Sequence, residues 1–154
     1  MRSGRWPEDW PIRVIQLLAV PGMLLAFYLL LFHNGDLIGA CTTSAWDDCG
    51  QVSGPGAKYA SIGPIPVALI GLVGYAAIFL VVWLAGWWAW IEENIPELVI
   101  LLTGFAFLMS LGLTVLELFV INAICRYCVV SAIIVTIMFV LAIIYRRSVR
   151  RAEE

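Results

Sequence analysis

Four cysteines hold the reactive chemistry of this chain: Cys41 and Cys49, in a C-x7-C spacing, and Cys125 and Cys128 in a C-x-x-C spacing. Each pair follows a long apolar run. A thiolate is a nucleophile toward disulfides and toward electrophilic rings, and two dithiols can pass electrons in pairs by exchange. Held at one face of a membrane, they can connect a water-soluble partner with an oxidant dissolved in the lipid. The same residues admit two other readings, a pair of permanent disulfides or a four-thiolate zinc site. Zinc needs all four sulfurs at about 2.3 Å from one ion, and a C-x7-C arm suits that poorly.

The elements that must position these thiols are helices in lipid. Hydrophobic residues make up 62% of the 154 residues, against roughly 45–50% in a soluble domain, while charged residues at 13% fall to half the usual share of about 25%. A soluble globule of this length could not hide so much apolar surface. Four stretches are long enough to cross about 30 Å of hydrocarbon at about 1.5 Å per residue: about residues 12–32, 65–85, 98–121 and 128–145. Unpaired backbone groups are not tolerated in lipid, so the stretches read as helices. The expected fold class is an all-α integral membrane protein, a four-transmembrane-helix bundle in one domain spanning residues 1–154. Gly71, Gly74, Gly104 and Gly112 fit close helix–helix approach.

Lys and Arg set the orientation. Arg2, Arg5 and Arg13 lie at the N-terminus, and Arg146, Arg147, Arg150 and Arg151 at the C-terminus; the long loop 33–64 has only Lys58, and the last turn only Arg126. This bias puts both termini in the cytoplasm and both cysteine pairs on the extracytoplasmic side. Trp83, Trp87, Trp88 and Trp90 read as an interfacial belt near the second link. A cleaved signal is the competing reading of the first 32 residues, but their apolar core exceeds the roughly 7–15 residues of a signal. Nucleic-acid binding is excluded by the lack of a basic face.

Outside the cytoplasm, thiols persist when oxidised or in use. Cys128 would sit in the first turn of the fourth helix, where unpaired amides favour an anion, so the stabilised thiolate is expected there. Cys41 and Cys49 lie in a Gly-, Ser- and Asp-rich loop able to carry them between two partners. Glu117, about a turn inside the membrane border, is a functional candidate or a snorkelling side chain. His33, at a helix end, reads as a solvated cap.

The whole pattern resembles the vitamin K epoxide reductase family in its prokaryotic form. The resemblance rests on Cys41-x7-Cys49, on Pro66-x-Ala68-x2-Gly71-x3-Tyr75, and on Glu117-x-Phe119-Val120-Ile121-x-Ala123-Ile124-Cys125-x-Tyr127-Cys128-x2-Ser131-Ala132. It spans about residues 12–145. It implies that Cys128 faces a quinone, that Cys125 exchanges with the loop, that Cys49 meets Cys125, and that Cys41 faces a partner. A pocket serine is implied at Ser53 or Ser61, beside Ser131, Ala132 and Glu117. Animal members have a tyrosine where this chain has Ala132, which favours plain quinone reduction over epoxide reduction.

The expectation is therefore a disulfide:quinone oxidoreductase of the plasma membrane. Its co-substrate would be menaquinone or ubiquinone, with no metal, and its partner a thioredoxin-like (DsbA-like) protein acting in trans. The rivals are a vitamin K epoxide reductase proper and a non-catalytic four-span scaffold with two structural disulfides.

Overall fold

The structure, a computed structural model, describes residues 9–36 and 48–154. Four long helices dominate it: α1 (Trp10–His33), α3 (Val67–Leu84), α4 (Ala89–Leu116) and α5 (Arg126–Glu153). Each is long and apolar enough to cross a membrane. A five-residue helix α2 (Cys49–Ser53) and a two-stranded hairpin, β1 (Ser61–Ile62) and β2 (Ile65–Pro66), occupy the segment between α1 and α3. A π-helical turn (Glu117–Ile121) follows α4 directly.

Two boundaries differ from expectation. The third spanning helix begins at Ala89 rather than near Leu98, because the Trp-, Glu- and Asn-containing link is itself helical and takes Pro96 within it. The fourth runs past Tyr145 to Glu153, since Arg and Glu are strong helix formers and carry it into water.

Neighbouring helices are antiparallel. A Cβ at Gly22 of α1 would overlap the Tyr75 ring of α3, and Gly71 of α3 lies against Ala26 of α1. Gly104 and Phe107 of α4 meet Phe139 of α5, while Glu97 pairs with Arg146 at 2.8 Å. The start of α1, the α3–α4 turn and the end of α5 thus share one end of the bundle. Cys49, Cys125 and Cys128 lie at the other. The expectation for glycines holds at Gly71 and Gly104 and fails at Gly74 and Gly112, where an added Cβ meets nothing within 4 Å.

The surface is apolar where a soluble protein is polar. Leu101 is 68% exposed, whereas Thr103, two residues on, is fully buried and returns its hydroxyl to the Val99 carbonyl at 2.6 Å. Side chains of this kind face lipid, and helix association rests on close packing and buried hydrogen bonds instead of apolar burial. Tyr75 supplies one such bond: its hydroxyl lies 2.8 Å from Ser131 Oγ and 3.2 Å from the Ser131 carbonyl, tying α3 to α5. Trp83, Trp87, Trp88 and Trp90 are all exposed around the α3–α4 turn, as an interfacial belt requires.

The two kinds of glycine give opposite expectations. Gly22→Ala pushes the Tyr75 ring away from Ser131 and should cost about 1–3 kcal/mol, the usual range for overpacking. Gly112→Ala, in open space within a helix, should gain up to about 1 kcal/mol from helix propensity. Thermal unfolding in detergent should lower the midpoint for the first variant and leave or raise it for the second.

Candidate functional site

Local backbone chemistry sets the positions of three sulfurs. Asp48 caps α2, its carboxylate accepting the Gln51 N–H at 3.1 Å, which fixes Cys49 as the first helical residue. After α2 the chain doubles back so tightly that a Cβ at Gly54 would strike the Gly50 carbonyl. Gly63, at φ +63°, then turns the hairpin and returns the chain to α3; glycine enters this backbone region without steric cost.

On the other side, the π turn ends at Asn122, whose φ of 52° is left-handed and whose N–H reaches the Glu117 carbonyl. Asn is among the few residues that visit this region readily. Ala123 also donates to that carbonyl, at 3.2 Å. The chain then drops to Cys125, the residue that opens α5.

These two paths converge. Cys49, Cys125, Leu29, Phe32, Val52 and Ala123 form one buried apolar cluster, with Cys128 and Tyr127 packed against it. Cys49 is 2% exposed and Cys125 is fully buried. The Tyr127 ring leans on Tyr28 of α1 with centroids 5.0 Å apart, closing the cluster from the side. Cys125 and Cys128 are unlinked thiols, and the side chains of Cys128 and Cys49 both hydrogen-bond to Cys125. Ser53 Oγ lies 3.9 Å from Cys128 Sγ. Cys41 lies outside the described residues.

The stabilised thiolate is Cys125, not Cys128 as expected from the helix start. The Cys128 thiol, donating to the Cys125 sulfur, is the largest cause; burial works against it, and the Cys128 N–H, the Cys49 thiol and the Tyr127 N–H add to it, bringing the group down to about 6. The two amides approach the sulfur without completing a cap hydrogen bond. The physical reason for the reversal is position: just ahead of the helix, Cys125 collects the Cys128 thiol first, and then first-turn amides and the Cys49 side chain.

Beside the sulfurs lies a cavity of about 190 Å³, walled by all four long helices and by α2. Its lining is mostly apolar, with polar groups at His33, Ser53, Tyr59, Tyr75, Ser110, Thr114, Glu117, Cys128 and Ser131. Since an apolar cavity of about 150 Å³ holds a benzene ring, this space suits a flat ring system with a few polar edges. Gly74 opens onto it, which is the role this glycine has in place of helix contact.

The structure brings Ser53, Ser131 and Glu117 to the cavity wall. It does not bring Ser61 or Ala132 there. Ser61 is held in the β1–β2 ladder opposite Pro66, and Ala132 is rotated about 100° around α5 from Ser131 by the helical repeat. His33 corrects the reading of a solvated cap. Its ring lines the cavity, and its Nδ1 is buried without a hydrogen-bond partner among the described residues. Tyr75 was named in the sequence only as part of a motif; its buried hydroxyl, fixed on Ser131, is the signal that places it at the site. Among the described residues no set of three or more His, Cys, Asp or Glu converges as metal ligands would.

Comparison with known families agrees with this geometry. A model of the vitamin K epoxide reductase family matches residues 13–143, most of the chain. No curated protein matches it. Members of the family are oxidoreductases that work with quinones.

The depressed Cys125 thiol has a direct readout. In the fully reduced protein, thiolate absorbance near 240 nm should rise through a transition near pH 6, the deprotonated form gaining as pH increases. Cys128→Ala removes the largest stabilising contact and should move that transition up toward the ordinary thiol range of about 8–9. An unchanged midpoint would mean that the Cys128 thiol does not set it.

Proposed function

Because this chain belongs to the vitamin K epoxide reductase family, we propose that it is an integral-membrane disulfide:quinone oxidoreductase that reoxidises an extracytoplasmic thioredoxin-like protein. The observation that carries the reading is the meeting of Cys49, Cys125 and Cys128 in one buried cluster beside a cavity of ring size. Residues 1–154 act as one membrane domain. The basic tails hold both termini in the cytoplasm of a plasma-membrane protein, which puts the cysteine end outside.

The reaction divides into exchange and electron transfer. The partner's dithiol reduces a Cys41–Cys49 disulfide. Cys49 then attacks Cys125 of a Cys125–Cys128 disulfide, the S–S bond to Cys128 breaks, and a Cys49–Cys125 bond forms. Attack by Cys41 on Cys49 releases Cys125. A thiol of low pKa is a good leaving group in such exchange, so the stabilisation of Cys125 speeds this release. The chain is left with a Cys41–Cys49 disulfide and reduced Cys125 and Cys128. Re-forming the Cys125–Cys128 bond gives up two electrons to the quinone, menaquinone or ubiquinone, which takes two protons and leaves as quinol.

Each group in the cavity has a part in this scheme. Ser53 holds Cys128 toward the ring, and Ser131 with Tyr75 fixes the wall behind it. Reduction of a vitamin K epoxide is the less favoured activity, because Ala132 brings no hydroxyl and lies off the cavity wall. A scaffold with two independent staples gives no reason for Cys49 to hydrogen-bond to Cys125.

Three variants assign the order. Cys128→Ala should reduce quinone-dependent turnover to background. Cys41→Ala should stop transfer from the thioredoxin-like partner while turnover with dithiothreitol continues; loss of both activities would put the assigned order in error. The Cys41→Ala, Cys128→Ala double variant should accumulate a Cys49–Cys125 disulfide, detected by non-reducing peptide mapping. Absence of that cross-link under mild oxidation sinks the relay.

A further inference from the structure

Glu117 is one of the two buried polar or charged residues of the described core, at 5% exposed, the other being Thr103. Thr103 is satisfied by its own helix. Glu117 is not so provided. Its Oε2 accepts the Cys125 N–H at a long 3.5 Å, and its other protein contact is a hydrogen bond with the Cys128 thiol. No basic side chain pairs with it among the described residues. A carboxylate removed from water with so few partners is costly to hold. The same oxygen-bearing group lines the cavity next to Cys128.

Its backbone position is equally particular. α4 changes to a π turn at Glu117, and single π turns within helices recur at functional sites because the wider turn re-aims a side chain. Here the change turns a carboxyl inward while its neighbours Leu118, Phe119 and Val120 remain exposed to the lipid side. Snorkelling is ruled out by that geometry, since a snorkelling carboxyl reaches for water and this one reaches for a thiol.

We propose that Glu117 is the proton carrier between the Cys128 thiol and the quinone. The proposal deepens the quinone-reducing reading and rests on it. In the reduced site Cys125 is a thiolate, and Cys128 keeps its proton. The Glu117 carboxylate takes that proton as the Cys125–Cys128 bond forms. Two electrons pass to the ring. One quinone oxygen receives the proton from the Glu117 carboxyl, and the second receives one from water, equal to the proton that Cys125 had already released. The products are a disulfide, a quinol and the original carboxylate.

The other titratable groups in or near this space do not fill the role. Tyr59 lines the cavity and makes no hydrogen bond with the Cys128 thiol among those described. Tyr75 has its hydroxyl engaged with Ser131. His33 lines the cavity but has no hydrogen bond with either sulfur of the C-x-x-C pair among those described. Cys49 is hydrogen-bonded to Cys125, the exchange side of the cluster. Glu117 alone among them touches the Cys128 thiol.

The test uses the full chain in lipid nanodiscs, with dithiothreitol as reductant and menadione as the quinone. Glu117→Gln keeps the size and the acceptor oxygen but carries no transferable acid proton, and should lower menadione turnover roughly 10²-fold or more, the usual range for a lost general acid–base group. Glu117→Ala should be equally slow and should regain turnover in proportion to added formic acid, whereas Glu117→Asp should be intermediate. Thermal unfolding confirms that the variants are folded. Wild-type turnover in Glu117→Gln overturns the proposal and leaves the quinone reading intact, and so does a folded Glu117→Ala that formic acid does not restore. Failure of the wild type itself to reduce menadione or ubiquinone-1 overturns the reading beneath it.

Discussion

The structure depends on one contact, the seating of Cys49 against Cys125 in an apolar nest at the end of the bundle. Nothing in the four spanning helices requires it. Helices in lipid satisfy their own backbone, but the segment between α1 and α3 is not a spanning helix, and its polar groups must be paired or wet. It solves this with local devices: the Asp48 cap, the Gly54 reversal, and the Val67 N–H donating to the Ala60 carbonyl at 2.9 Å. Once the backbone is satisfied, the segment can lay Cys49 and Val52 down on Leu29 and Phe32 of α1. The sulfurs meet because a loop has been folded into a lid for an apolar floor.

The thiol order follows from the same placement. Cys125 sits just before α5 and Cys128 within its first turn, so donors collect on Cys125 while Cys128 faces the cavity with Ser53 and Glu117. The contact with Cys49 and the contact with the cavity are thus kept on opposite sides of one two-residue gap. A low-pKa thiol at Cys125 favours its departure from a mixed disulfide. That asymmetry would be lost if both sulfurs lay inside the helix and shared its amides equally.

Much of this was legible in the residues. Apolar length alone gave four spans, since 18 or more apolar residues have few other uses in a chain. Cys-x-x-Cys at a helix start and the motif around Tyr75 pointed to the family and to Ser53, Ser131 and Glu117 at the cavity. What the residues did not disclose were features decided by tertiary contact. The Gly63-Pro64 hairpin had a local signal, yet α2 is too short for any periodicity to show. Gly22, beside Pro21 in the first span, shows its role only with the Tyr75 ring against it. His33 was indistinguishable from an end cap until the cavity behind it was seen. The same holds for the thiolate: the dipole of α5 alone favours Cys128, and the donors that Cys49 and Cys128 bring to Cys125 exist only in the folded site.

The π turn ties these strands together. An α-helical continuation from Leu116 would carry the chain on at about 1.5 Å per residue with each side chain turned by about 100°. Widening the helix at Glu117 and ending it with left-handed Asn122 gives the chain a short descent, Ala123 to Cys125, before α5 begins. That descent lowers Cys125 onto the floor where Cys49 waits, and it aims the Glu117 carboxyl at the Cys125 N–H and the Cys128 thiol. One local irregularity therefore positions both the sulfur that touches Cys49 and the acid beside the sulfur that lines the cavity. Straightening it would separate the two halves of the site, which is why an otherwise apolar membrane-border turn holds a buried carboxyl at this point.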